Sequence, residues 1–295
     1  MSQASKTPPR PVIAPAPPPP TSIALEQSGA PSAGFDPHFK STVGGMAIAL
    51  LLLLGIGCGV VFAGGHIAAW MTPLVPLGVD RNLGRVTSEQ LALAGSDCDD
   101  PQALHYVHEI AQPLLDAAGR TPFEFTFRVA RDEQVNAFAL PGGYVTVNSG
   151  LLKAAETGEE VAGVLGHEIQ HALRRHGTRR MLRQMGGAVL LSLFLGGADG
   201  QSLAYLSGRL AALAHDRGQE EEADELGVGL LLEAGIDPRG LSSFFDRLSE
   251  SSLHPPQILS THPDPGARAE RVAQAARGGA FKPLPAPPPI TCGGP

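Results

Sequence analysis

Basic charge, cysteine and aromatic side chains are all scarce in this 295-residue chain. Twenty-two Lys and Arg stand against 29 Asp and Glu, for a formal net charge of −7, and no basic stripe is interleaved with aromatics. The electrostatic attraction that dominates nucleic-acid binding is therefore missing, and nucleic acid is not expected as a partner. Only three cysteines occur. Cys58 lies in an apolar run, which leaves Cys98 and Cys292. An oxidising compartment would let them form one disulfide, and two separate thiols fit the sequence equally well.

Charge vanishes altogether from Val43 to Gly65, "VGGMAIALLLLLGIGCGVVFAGG". At about 1.5 Å rise per residue this run is long enough to cross a hydrocarbon core of about 30 Å, and it predicts a transmembrane helix. A cleaved signal peptide competes, since "VFA" before Gly64 is a tolerable cleavage site. The long leader at 1–42 and the length of the run favour an uncleaved anchor. A lipoprotein site at Cys58 is opposed by the same leader and by "GIGC", which lacks a leucine three residues before the cysteine. Lys40, Arg81 and Arg85 hardly bias the orientation. A short polar tail before a first apolar segment normally stays cytoplasmic, so residues 72–295 are expected in a periplasm-like space outside a bacterial inner membrane.

Prolines gather at the two ends, in "TPPRPVIAPAPPPP" (7–20) and "KPLPAPPPI" (282–290). Such stretches predict disordered tails or polyproline spacers. The expected organisation is a tail at 1–42, a span at 43–65, a linker at 66–86, one domain at 87–277 and a second tail at 278–295.

Within the domain, Asp100 and Pro101 form a helix start before "QALHYVHEIAQPLLDAAG". Alternation in "FEFTFRVA" (123–130), then "QVNAFALP" (134–141) and "GGYVTVNSG" (142–150), predicts a short antiparallel sheet turned by Pro-Gly-Gly. Beyond it the signals are helical. The expected class is α+β, mostly helical.

One of these helices carries chemistry. "GEEVAGVLGHEIQHALRRH" (158–176) has apolar residues at helical spacing and acids in its first turn. His167 and His171 fall one turn apart on one face, so both imidazoles can hold one Zn²⁺, with Glu168 beside them as general base. Zinc lowers the pKa of a coordinated water toward about 7 and polarises a scissile carbonyl. A solvated helix face is the plain competing account. A second helix, "DRGQEEEADELGVGLLLEAG" (216–235), places Glu220 and Asp224 one turn apart. Glu220 completes a two-His, one-Glu site if the helices pack, and Asp224 is then the acceptor for the free N–H of a ligand imidazole. Glu221 and Glu222 are expected on a solvated face. His105 and His108 are expected to be structural, and His176 and His215 to lie on the surface.

"VLGHEIQH", the later "EEEAD" and the upstream "VNAFALPGGYVTVNSGLL" resemble the membrane-associated zinc metallopeptidases that include the CAAX prenyl protease, HtpX and the mitochondrial Oma peptidase, and most of all their periplasmic BepA-like branch. The likeness runs from about Thr87 to Ala276. It implies a zincin-type domain with one zinc on His167, His171 and Glu220, and cleavage of misfolded or unassembled envelope proteins. It also implies an edge strand along the cleft, making Asn136, Phe138 and Ala139 substrate-side candidates. "LSTHPDPGARAERV" resembles the family's late His-Pro loop. His262 is thereby a candidate at the metal, as an inhibitory fourth ligand or as a donor to the oxyanion. Where the family often has Ser-Arg before its second motif, this chain has Asp216-Arg217. The apolar stretch at 185–197 is too short to span a bilayer and is expected to be a buried helix, a membrane-dipping segment or a lid. A chaperone-like adaptor that keeps the fold with little turnover is the alternative function. A CAAX-type processor is disfavoured, because one span cannot build an intramembrane chamber.

Overall fold

The computed structural model describes residues 68–93, 97–183, 216–251, 257–262 and 279–292, together with positions 46, 48, 50–53 and 55. Most of the predicted span at 43–65 lies outside the described residues, although its described positions are helical. Among the described residues, no helix is long and apolar enough to cross a membrane. The tail at 1–42, the stretch at 185–197 and His215 also lie outside them.

Helix α1 (Leu77–Leu93) begins inside the stretch expected to be a linker. It is held there because Val79 and Leu83 pack with Met181 and Leu182. Helix α2 (Pro101–Ala118) starts where the sequence predicts: the Asp100 side chain accepts from the Gln102 amide at 2.9 Å, and Pro101 sits where a missing N–H costs nothing. Its buried face, Ala103, Tyr106, Val107, Ile110, Ala111 and Leu114, follows the three-four spacing of an amphipathic helix.

Three strands follow, β1 (Thr126–Ala130), β2 (Ala137–Leu140) and β3 (Tyr144–Asn148). Their order is β1-β3-β2, with β2 antiparallel to β3 and β1 parallel to it. The sheet is therefore mixed, not the antiparallel sheet expected. Its physical origin is the loop after β1, which crosses the end of β3 instead of turning back as a hairpin. Asp132 O accepts from the Gly150 amide at 2.8 Å and from Ser149 Oγ at 3.0 Å. A Cβ at Gly150 would sit 2.2 Å from Glu133 O, so only glycine lets the loop pass. The crossover leaves β2 at the sheet edge.

Helix α3 (Ser149–Ala154) leads into α4 (Gly158–Leu173), capped by Thr157 Oγ1 on the Glu160 amide at 3.3 Å. Helices α5 (Arg217–Glu233), α6 (Arg239–Ser251) and α7 (Gln257–Thr261) complete the domain. Asp216 caps α5 by accepting from the Gln219 amide and also pairs with Arg183, so the departure from Ser-Arg keeps a working helix start. Helices α4 and α5 cross where Gly227 meets His167: a Cβ on Gly227 would lie 3.3 Å from the His167 backbone nitrogen. That close approach brings the histidines of one helix to the acids of the other. The common core joins α2, the sheet, α4, α5 and α6, with Phe244, Ile110, Leu165 and Leu231 fully buried.

Residues 279–292, expected to be a disordered tail, lie along the domain. The Leu284 amide donates to Glu159 Oε1 at 2.8 Å, Tyr106 Oη donates to Pro285 O at 3.0 Å, and Ile290 is buried. Cys98 and Cys292 form a disulfide across 194 residues of sequence. Extended proline-rich backbone has little entropy left to lose, which suits it to lie as a strap once partners exist.

Candidate metal centre

Four polar side chains meet between α4, α5 and the end of α7. One turn of α4 separates His167 from His171, and their Nε2 atoms are 2.9 Å apart. From α5, Glu220 places Oε2 3.5 Å from His167 Nε2 and Oε1 3.3 Å from His171 Nε2. His262 brings Nδ1 to 3.1 Å from His167 Nε2 and 3.1 Å from Glu220 Oε2. One donor atom from each of the four lies within 4.8 Å of all the others. None of the four is more than 3% exposed.

Three imidazoles and a carboxylate aimed at one buried point form a donor set of borderline softness, with the ligand types and number that suit a tetrahedral zinc site. For Glu220 and His171 the local electrostatics favour the deprotonated, ligand-competent forms. Burial would raise the Glu220 pKa, but His262, His167 and His171 hold its carboxyl ionised, far below the usual range. Burial and neighbouring His167 push the His171 pKa well down. Burial also disfavours charge on His167, yet Asp224 and Glu220 outweigh it and raise that imidazole to about 10. Asp224 Oδ1 is 2.9 Å from His167 Nδ1, the arrangement in which a carboxylate fixes a ligand imidazole's tautomer.

Glu168 is fully buried beside the cluster. Its Oε2 accepts from the Ala139 amide at 2.7 Å, and its Oε1 is 3.4 Å from His262 Nε2. Burial raises its pKa, against the pull of His262 and His167. A carboxylate so placed can take a proton at Oε1 while the edge strand holds Oε2.

The substrate-side candidates divide. Ala139 reaches the site through its backbone N–H, Phe138 is half-buried on the edge strand, and Asn136 is buried. Thr261 Oγ1 donates to Asn136 Oδ1 at 3.5 Å, and the Ile258 amide donates to Val135 O at 3.2 Å, so the residues just before β2 anchor the helix that leads to His262.

His176 corrects the sequence reading: it is wholly buried, not on the surface. Five residues beyond His171, a continuous helix would turn it away from the cluster. Instead α4 ends at Leu173, Arg175 adopts φ 55°, and residues 176–183 begin a new helical segment. The Arg175 guanidinium holds this turn, donating to Thr72 O and Val75 O at 2.8 Å each and to the buried carboxylate of Asp80. His176 Nδ1 is thereby 2.8 Å from His171 Nδ1, and its Nε2 is 3.2 Å from Glu222 Oε2. Burial lowers the His176 pKa to about 4. Glu222, expected on a solvated face, is half-buried between His176, Arg174 and Arg179. The signal for these residues is a basic turn after the motif, which has no helical period to read.

Residues 101–276 match peptidase family M48. The chain belongs to this family. Within it, the chain is 35% identical over 184 residues to the beta-barrel assembly-enhancing protease of Yersinia pestis, covering 57% of this chain and 38% of that protein. It is 30% identical over 207 residues to the beta-barrel assembly-enhancing protease of Escherichia coli K12, covering 65% and 42%. The mitochondrial metalloendopeptidase OMA1 of Arabidopsis thaliana is 34% identical over 150 residues, covering 50% and 30%. The chain thus spans about two-fifths of the length of the bacterial M48 relatives it matches.

Proposed function

We propose that this protein is a membrane-anchored zinc endopeptidase that cleaves misfolded or unassembled proteins of a bacterial envelope. The observation that carries the reading is the convergence of His167, His171 and Glu220 on one buried point beside Glu168. His167, His171 and Glu220 would hold one Zn²⁺ per chain. When bound, zinc supplies Lewis-acid activation of a water and of the scissile carbonyl. Glu168 takes the proton of the attacking water and delivers it to the leaving amine, with the Ala139 N–H fixing the carboxylate. Asp224 orients His167.

On the substrate side, Phe138 and the backbone of β2 offer an edge to which an extended peptide can add as a strand. Asn136 acts by fixing α7 and not by touching substrate. His262 is assigned as an inhibitory fourth ligand, because its Nδ1 already stands among the donor atoms. His262→Ala then raises peptidase activity, whereas a drop would assign it to the oxyanion.

The uncharged run at 43–65 would anchor the chain in the inner membrane. A periplasmic position for the domain is supported by the Cys98–Cys292 disulfide, which persists in oxidising compartments. Envelope proteins are proposed as substrates because the bacterial relatives are named for beta-barrel assembly.

The test is zinc content and casein cleavage of the detergent-solubilised full chain, for wild type, Glu168→Gln and Glu220→Ala. The proposal requires near-stoichiometric zinc in wild type and Glu168→Gln, less in Glu220→Ala, and cleavage by wild type alone. Zinc with no cleavage even in His262→Ala would favour an adaptor. A wild-type chain without zinc would end the peptidase reading.

A further inference from the structure

His176 and Glu222 have no part in the proposed reaction, yet they extend a chain of contacts that starts at a ligand imidazole. Only 2.8 Å separates the Nδ1 atoms of His171 and His176. That gap holds one proton, so one ring donates and the other accepts. Were His176 the donor, a neutral His171 would carry its own proton on Nε2. That atom faces His167 and Glu220, and it would have no lone pair for a cation. With His171 as donor at Nδ1, its Nε2 carries the lone pair that can ligate a cation. His176 then accepts at Nδ1 and carries its proton on Nε2, which is 3.2 Å from Glu222 Oε2. An ionised carboxylate only accepts, so Glu222 selects the second arrangement. Arg174 and Arg179, 3.6 and 3.5 Å from Glu222, favour its ionised form.

We infer that His176, oriented by Glu222, is a positioning residue that holds His171 in its metal-binding tautomer and ring orientation. The two histidine ligands are thus supported from different directions. Asp224 reaches His167 directly, while Glu222 reaches His171 through a second imidazole. The relay depends on the turn at Arg175, whose guanidinium is clamped by residues 72–80. The segment leading into α1 therefore helps to place a residue behind the metal centre.

The inference rests on the metal-site reading, and its test separates the two. Zinc affinity is measured by chelator competition on the full chain, and melting is measured on the metal-free protein, for wild type, His176→Phe and His176→Asn. The Asn side-chain oxygen can accept from His171 as Nδ1 does, whereas Phe cannot. His176→Phe should bind zinc about 10–100-fold more weakly, the usual effect of losing a partner behind a ligand, and His176→Asn should recover most of that loss. Cobalt-loaded His176→Phe should also show an altered visible spectrum. Wild-type affinity in His176→Phe, or equal weakness in Phe and Asn variants that melt like wild type, would overturn the inference. Should His176→Phe fail to fold, Glu222→Ala at the half-buried end of the relay takes its place. It should bind zinc more weakly, and unaltered affinity would overturn the inference. Failure of wild type itself to take up zinc would instead defeat the metal-site reading.

Discussion

The two halves of α4 share one backbone geometry and nearly the same burial, but the second half buries far more polar side chains than the first. From Gly158 to Gly166 the helix packs through Val161, Ala162, Val164 and Leu165, and Gly163 lets α6 approach. From His167 onward the same helix buries His167, Glu168, Gln170 and His171. Apolar burial contributes about 1.5–3 kcal/mol for each large side chain. A buried polar group costs about 1–3 kcal/mol wherever its partner is missing. The first half therefore stabilises the domain chiefly by apolar packing, with its one buried acid, Glu160, paired with Arg247 at 2.6 Å. The second is tolerable only because Asp224, Glu220, Ala139, His176 and His262 surround it. Stability and chemistry occupy successive turns of one helix.

Variants can sharpen or break this contrast. The largest effect is expected from Glu168→Gln in the polar half: cleavage falls by about 10²–10⁴-fold as proton transfer is lost. Its melting temperature stays level or rises, since burial already disfavours the carboxylate's charge. A marked fall in melting temperature would mean that the polar half bears structural load after all.

The next effect belongs to the strap against the apolar half, where Leu284 meets Glu159 in the first turn of α4. Replacing Cys98 and Cys292 by Ser together should lower unfolding free energy by about 2–4 kcal/mol, measured by urea denaturation under oxidising conditions. Zinc affinity should not change. A coupled loss of zinc would show that the two halves are not independent.

Gly163→Leu should cost about 1–3 kcal/mol by overpacking, because even a Cβ there lies 2.7 Å from the Leu241 side chain and 2.9 Å from its backbone. The folded fraction should retain its full zinc content, as read by metal analysis of the monodisperse peak.

The smallest effect is expected from acid at the far end of the strap. Backbone hydrogen bonds from Thr291 and Gln102 lower the Asp100 pKa below its ordinary 3.8. A depressed carboxyl contributes stability that is complete above the unfolded value and fades as pH falls through the folded one. Protection of the Thr291 amide from exchange, relative to its intrinsic rate, should therefore fall only below pH 3.8. Asp100→Asn should remove that dependence, and an unchanged pH profile would assign the docking of the strap to other contacts.

Much of the polar half is legible in the sequence, because its logic is local. A four-residue spacing puts His167 and His171 on one face of any helix, and a two-residue insertion would turn them onto different faces. Helix starts at Asp100-Pro101 and Asp216 are local as well, since each cap reaches only two or three residues ahead. His262 comes within view through a family likeness, and no periodicity links it to residues 95 positions away. His176 escapes a periodic reading because the helix breaks before it, and Glu222 escapes with it, because a run of three acids looks the same whether water or an imidazole faces it. The strap escapes for a similar reason: proline-rich backbone looks unstructured until Glu159, Tyr106 and Cys98 are brought beside it.

The amino-acid sequence by itself determined the ligand-bearing helices, their caps and the paired histidines, because those follow from the helical repeat and from hydrogen bonds spanning a few residues. Tertiary structure alone decided the pairing of β1 with β3, the glycine crossing that carries Glu220 to His167, the docking of residues 279–292 and the burial of His176. Each of these depends on groups far apart in the chain meeting at distances of a few ångströms. Such meetings are settled by packing, where one Cβ at Gly150 is enough to forbid an approach and one at Gly227 is enough to crowd it.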